Sequence, residues 1–220
     1  MTLDQNKPTW YTDAKKYWDS IPSDVEGMLG GYGSLTDIDA RGSTRFISEF
    51  IEKKALITNR ACDCGAGIGR VSKSFLLNHF NSVDLVEQTE KFLEQAKEDF
   101  GNSGLSDKVE RYIPLGLQDF TPEQGRYDLI WCQWVLSHLT DKDLIAFFKR
   151  CKESLNGGYI GVKENVCKAG VEYDELDSSC TRSEYIWRGL FETAGLIIVK
   201  EAKQHAFPDS LYEVKMFLLK

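Results

Sequence analysis

An α/β fold, a mostly parallel sheet with helices on both faces, is predicted by three features of the 220-residue sequence. Strand-like and helix-like segments alternate from residue 60 onward. A glycine-rich turn, Cys64-Gly65-Ala66-Gly67-Ile68-Gly69-Arg70, follows the first apolar strand and opens a helix; such a turn lets backbone approach a ligand closely. An acidic residue, Glu87, ends the next apolar run about twenty residues on, where a carboxylate can accept both hydroxyls of a ribose.

Taken in order, Arg60–Cys64, Ser82–Glu87, Val109–Ile113, Tyr127–Trp131 and Tyr159–Lys163 read as strands. Helices are expected near Arg70–His79, Thr89–Phe100 and Asp141–Leu155. The last carries Leu144, Phe147, Phe148 and Cys151 on one face, with Asn156-Gly157-Gly158 as its stop. A helix around Arg182–Ala194 precedes two final strands, Leu196–Lys203 and Leu211–Leu219, whose short connection predicts an antiparallel pair at the sheet's end. Residues 1–59 read as an N-terminal helical extension, or lid, to the core at 60–220, within one domain of 1–220. The extension holds a helix at Tyr11–Ser20, with Tyr17 beside Trp18, and the run Met28-Leu29-Gly30-Gly31-Tyr32-Gly33. That run suits a lid over a bound substrate, and an ordinary structured extension would have the same composition.

Composition narrows the function. Met1–Ser20 is polar, with Asp4, Lys7, Asp13, Lys15, Lys16 and Asp19, unlike a signal peptide. No apolar run is long enough to span a bilayer, so an intracellular protein is expected, with no membrane partner. Cys62, Cys64, Cys132, Cys151, Cys167 and Cys180 lack paired Cys-x-x-Cys spacing and nearby histidines, so reduced thiols are expected and no metal site. The net charge of −7 argues against nucleic acid as a primary partner and fits a cationic substrate. It equally fits simple solubility.

Gly65, Gly67 and Gly69 alternate, whereas the dinucleotide fingerprint spaces its last two glycines three apart to admit a pyrophosphate. A single nucleoside suits the tighter turn better than NAD, which weakens the case for an oxidoreductase. The turn resembles motif I of the S-adenosylmethionine-dependent methyltransferases. With Tyr17-Trp18, Gly27-Met28-Leu29-Gly30-Gly31-Tyr32-Gly33, Gly116-Leu117-Gln118-Asp119-Phe120-Thr121-Pro122, Trp131-Cys132-Gln133-Trp134, His138-Leu139 and Leu176-Asp177-Ser178-Ser179, nearly the whole chain resembles the eukaryotic protein alpha-N-terminal methyltransferases.

That resemblance implies a Rossmann-like class I methyltransferase sheet of seven strands, the last antiparallel. It also implies an enzyme of the cytoplasm and nucleus that methylates the α-amino group of proteins exposing N-terminal Xaa-Pro-Lys or Xaa-Pro-Arg, up to di- or trimethylation. By the same resemblance the cofactor is S-adenosyl-L-methionine. Gly65 and Arg70 would hold its methionine end, Glu87 its ribose, Leu117 and Gln118 its adenine, and Gln133 its methionine moiety. Glu87 departs from relatives that carry aspartate here, and either residue can accept the ribose hydroxyls. Tyr17, Trp18, Leu29, Gly30, Trp134, Asn165, Asp174, Asp177, Ser179 and Tyr212 would form the peptide site, with Asp174 and Asp177 meeting the basic third residue. His138 and Asp177 are the candidate proton acceptors, and the sequence does not choose between them. A non-catalytic peptide-binding module or a small-molecule methyltransferase would share the fold.

Overall fold

In the computed structural model, residue 5 and residues 7–220 are described; the start of the polar N-terminal segment, including Asp4, lies outside the described residues. Five strands form the parallel part of the sheet: β1 (Arg60–Cys64), β2 (Ser82–Val86), β3 (Val109–Ile113), β4 (Leu129–Gln133) and β5 (Tyr159–Cys167). They run in the order β3-β2-β1-β4-β5. β2 and β4 are buried at every position, the signature of strands covered on both faces rather than one. Beyond β5 lie β9 (Glu213–Leu219), antiparallel to it, and β8 (Ile198–Lys203), antiparallel to β9. The chain therefore contains the expected seven-stranded path with its final strand inserted antiparallel.

Two further strands were not expected. β6 (Val171–Asp174) and β7 (Ser179–Ser183) form a hairpin joined to the end of β5, where Val166 and Cys167 pair with Arg182 and Ser183. β5 runs four residues past its expected end at Lys163, and this overshoot is what the hairpin docks on. The acidic segment 172–177 is accordingly half strand and half turn. Polar side chains conceal such a strand from a reading that follows apolar runs. The β4 segment is also displaced, ending at Gln133 rather than Trp131.

Helices α1 (Trp10–Ser20), α2 (Val25–Met28) and α3 (Thr36–Glu52) make up the N-terminal extension. α4 (Arg70–Ser74) follows the glycine turn and stops earlier than expected, giving way to a single 3₁₀ turn at Leu76–Asn78. α5 (Glu90–Asn102), α6 (Asp141–Ser154) and α7 (Glu184–Thr193) cover the sheet. Thr140 caps α6 by accepting from the Asp143 N–H, and Asp24 caps α2 by accepting from the Gly27 N–H. One core layer packs Phe147, Phe148, Trp187 and Phe191 against the sheet; the opposite layer packs Phe46, Phe75, Phe100 and Trp131. Gly161 is fixed by that second layer, because a Cβ there would stand 2.2 Å from the Trp131 ring. No helix among the described residues is long and apolar enough to cross a membrane.

Candidate active site

The parallel strands end in a common crevice, the place where open α/β sheets bind ligands. At its centre the β1–α4 turn runs through Gly65, Gly67 and Gly69 with φ of +71°, +54° and +77°. These are left-handed conformations that cost other residues about 1–2 kcal/mol each. A Cβ at Gly65 would also lie 2.3 Å from Val135. The Gly67 N–H points to Glu87, whose Oε2 accepts it at 3.0 Å while Oε1 accepts the Thr89 N–H at 2.8 Å. Burial raises the Glu87 carboxyl above its ordinary value, against the pull of those backbone donors.

A pocket of ≈ 930 Å³ opens over this turn. Gly65, Arg70, Glu87, Leu117, Gln118 and Gln133 all line it, so the structure brings together every residue expected at the cofactor. A second pocket of ≈ 1090 Å³ adjoins it, lined among others by Leu29, Gly30, Asn165, Asp177, Ser179 and Tyr212. Trp18, Met28, Trp134 and His138 line both and so form the boundary between them. Tyr17 and Asp174 line neither. Tyr17 packs edge-on against Trp18 with centroids 5.5 Å apart, and Asp174 sits exposed on β6, accepting from the Leu176 N–H.

Each boundary residue is held by the backbone around it. Trp134 follows β4 with φ +54°, unusual for a bulky residue and permitted here by fixed neighbours. Its own N–H donates to the Lys163 carbonyl, and Glu164 Oε1 accepts from Val135 and Leu136 N–H at 2.9 and 2.8 Å. The Arg70 guanidinium lies over the Trp134 ring, 5.5 Å from its centroid. His138 receives the Trp18 indole N–H on Nε2 at 3.0 Å, while Nδ1 stands 3.4 Å from the Ser178 carbonyl. An indole only donates, so Nε2 carries the lone pair and Nδ1 the proton. Burial lowers the imidazole's pKa, with the Asp177 charge opposing it. Among the described residues, Asp177 Oδ1 and Trp134 Nε1 are buried polar atoms without a hydrogen-bond partner. Both residues line the second pocket.

The site also contains residues the sequence reading passed over. Asp39, from the first turn of α3, is buried and accepts from Arg70 Nη1 at 2.8 Å and from Gln133 Nε2 at 2.8 and 2.9 Å. Its readable signal was an acid among the core-facing positions Ala40, Ser43, Phe46 and Ile47 of an amphipathic helix. Glu164, fully buried, has its carboxyl pushed up to about 7 by burial, against its two backbone donors and Arg182.

The family described as AdoMet dependent proline di-methyltransferase matches residues 6–220. The mouse protein named N-terminal Xaa-Pro-Lys N-methyltransferase 1 is 44% identical over 219 residues, 98% of this chain and 97% of its own. The Arabidopsis thaliana alpha N-terminal protein methyltransferase 1 is 41% identical over 98% of this chain and 82% of its own. This chain belongs to the alpha-N-terminal protein methyltransferase family. A SAM-dependent methyltransferase structure from Leishmania major, 39% identical, superposes with a TM-score of 0.91 over 100% of this chain and 87% of that one. S-adenosylmethionine is thus the cofactor of an enzyme of one-carbon transfer. The first pocket fits it: a turn whose glycines put no side chain in the way, a carboxylate following β2, a guanidinium and an amide all line it. Among the described residues no group of acids, cysteines and histidines could hold a metal ion.

Proposed function

We propose that this family member methylates the α-amino group of proteins exposing N-terminal Xaa-Pro-Lys or Xaa-Pro-Arg after removal of the initiator methionine, proceeding up to di- or trimethylation. The observation that carries the reading is the two adjoining pockets divided by Trp18, Met28, Trp134 and His138, with Asp177 Oδ1 unpartnered in the second. A neutral or cationic amine is the partner such an oxygen lacks.

When bound, S-adenosylmethionine supplies an electrophilic methyl group. Arg70 would pair with its carboxylate, Gln133 would contact its methionine end, Glu87 its ribose, and Leu117 and Gln118 its adenine. The protein's remaining task is to present an amine with its lone pair free and aligned. A terminal amine has a reference pKa near 7.7–8.0, so most of it is protonated at neutral pH and one proton must leave per cycle. We assign that proton to Asp177, whose Oδ1 is without a hydrogen-bond partner. His138 is neutral with Nε2 committed to Trp18, so it accepts a proton only after that indole turns away.

Proline in second position removes one N–H that the channel would otherwise have to satisfy. Trp134 and Asn165 would position the first residues, with Leu29, Gly30, Tyr17, Trp18 and Tyr212 as walls. Asp174, Asp177 and Ser179 would meet the basic third residue. Six free, buried thiols support an address in the cytoplasm and nucleus, checked by imaging a tagged chain. The deciding experiment for activity is mass spectrometry of a Ser-Pro-Lys peptide incubated with enzyme and S-adenosylmethionine beside an N-acetylated control. Mass increments of one to three methyl groups on the free peptide alone are expected. Equal methylation of both peptides, or of neither, defeats the reading.

A further inference from the structure

Beneath the floor of the first pocket lies a cluster of charges that the catalytic reading leaves unused. Lys163, on β5, is fully buried, and its Nζ stands 2.5 Å from Asp39 Oδ1. The same ammonium donates to the Asp39 carbonyl at 3.0 Å, to Ser43 Oγ at 3.0 Å and to Gln204 Oε1 at 2.8 Å. Neither Lys163 nor Asp39 lines the pocket; Arg70 and Gln133 do. Asp39 thus lies between a pocket-facing cation and a hidden one.

Burying a carboxylate costs free energy that one cation can offset, so a structural purpose would be met by Asp39 and Arg70 alone. A second cation, taken wholly out of water, leaves Asp39 shared between two cations, while Asp63, another buried carboxylate that feels Arg70, is engaged by the Ser72 N–H and hydroxyl. A carboxylate that must serve two cations cancels each of them only in part, which leaves charge on the guanidinium directed at the pocket. The guanidinium has five N–H donors and commits Nη1 to Asp39. An anion binding at Arg70 would meet that remaining charge.

We infer that Lys163 is a positioning and specificity-determining residue for the cofactor. It cancels Asp39 from behind, so that Arg70 presents a net positive charge to the amino-acid carboxylate without touching that carboxylate itself. In this arrangement Asp39 orients Arg70 and Gln133, and Lys163 prevents that orientation from neutralising the subsite. The inference rests on the assignment of Arg70 to the cofactor's methionine end.

The test compares two ligands by calorimetry on folded protein: S-adenosylhomocysteine, which carries the carboxylate, and 5′-methylthioadenosine, which lacks the amino-acid end. Lys163→Met is expected to weaken S-adenosylhomocysteine by at least about tenfold while methylthioadenosine stays within about twofold. Asp39→Asn/Lys163→Met removes one charge of each sign and leaves Arg70 with no carboxylate at position 39 against it. It is expected to recover S-adenosylhomocysteine binding to within about fivefold of the parent, an improvement that accumulated packing damage would not give. If Lys163→Met does not fold, the double variant still decides, because a selective loss there of more than about tenfold overturns the inference. Equal losses of both ligands in Lys163→Met, unchanged binding, or a double variant no better than the single also overturn it. Arg70→Ala separates the two readings. No selective loss in that variant removes the carboxylate assignment itself, whereas a loss there with none in Lys163→Met removes only the role of Lys163.

Discussion

Asp177 and His138 face the same pocket in different electrostatic states, and that difference assigns them different work. Asp177 Oδ1 is unpartnered, so Asp177→Asn is expected to lower kcat by about a hundredfold with cofactor affinity unchanged, the size of a lost proton acceptor. Raising the pH from 7 to 10 should return part of that rate by supplying neutral amine. A loss that pH never relieves would point to substrate positioning instead. His138 anchors Trp18 through Nε2, so His138→Ala should act mainly on peptide KM, read from the same initial-rate series. Glu164 offers a stability test. Its carboxyl is raised from 4.5 to about 7, so its protonated form is the one the fold favours. That contribution is complete below about pH 4.5 and is lost as pH rises through 7. Glu164→Gln cannot ionise, and urea unfolding should show it gaining about 2–3 kcal/mol on the parent between pH 5 and pH 8. A pH-independent difference would mean that the buried carboxyl does not titrate there. Both candidate proton acceptors were legible in the sequence, because family motifs contain them. Glu164, Asp39 and Lys163 were not, since a charged residue beside an apolar run reads as an element end until packing shows it to be enclosed.

The elements that hold these residues differ in how plainly the sequence announces them. β1 and β3 begin and end where expected, because each is bounded by breakers: the glycine turn closes β1, and β3 lies between the turn at Ser106–Lys108 and Pro114. α3 lies in the segment expected to be a helical extension, but neither its range nor the role of Asp39 is marked there; its apolar stripe is interrupted by the very charges the site needs. The β6–β7 hairpin is hidden for a related reason: three of the four β6 residues are exposed, so no alternation marks it. α1 is tied to the core at its far end by Lys91, whose Nζ donates to the Asp19 and Ile21 carbonyls at 2.7 and 2.6 Å. Along its length the Trp10 indole donates to the His138 carbonyl at 2.7 Å. These contacts make α1 a wall of both pockets that is fastened mostly by hydrogen bonds rather than by a deep apolar face. Only Trp10 and Ala14 of its residues are buried. Lys91→Ala is therefore expected to speed amide exchange across residues 10–21 while β1 and β4 remain protected, and to raise KM for both substrates by about two- to fivefold, the scale of one hydrogen bond. Unchanged exchange in α1 would show that its packing, not Lys91, keeps the wall closed.

At the scale of the molecule, the chain's charge and its pockets act in the same direction. The sequence carries a net charge of −7, and a substrate beginning Xaa-Pro-Lys brings at least one cation besides its amine. Asp177, in the turn after β6, lines the second pocket, whereas Asp174 on β6 stands exposed outside it; the charges of both are felt at Tyr17, whose hydroxyl is raised by burial and then by both aspartates. Tyr212, which lines that pocket, donates to Glu172 Oε2 of the same hairpin at 2.7 Å, so a third carboxylate is one hydrogen bond away from the lining. A cationic peptide should thus be drawn in by the field as a whole and held by a few carboxylates at the end of its path. These two effects respond differently to salt, because screening over about 8–10 Å at physiological strength weakens approach more than buried contact. For a Ser-Pro-Lys peptide, kcat/KM is expected to fall about three- to tenfold between 50 and 500 mM NaCl while kcat stays nearly constant. Changing the third residue to glutamate should reduce kcat/KM by at least about tenfold at low salt, since like charges then face each other, and added salt should narrow that gap. Initial rates for both peptides across the salt series test the idea directly. Parallel salt dependences, or equal rates for lysine and glutamate, would leave the acidic hairpin without a part in selection and return the discrimination to the shape of the channel.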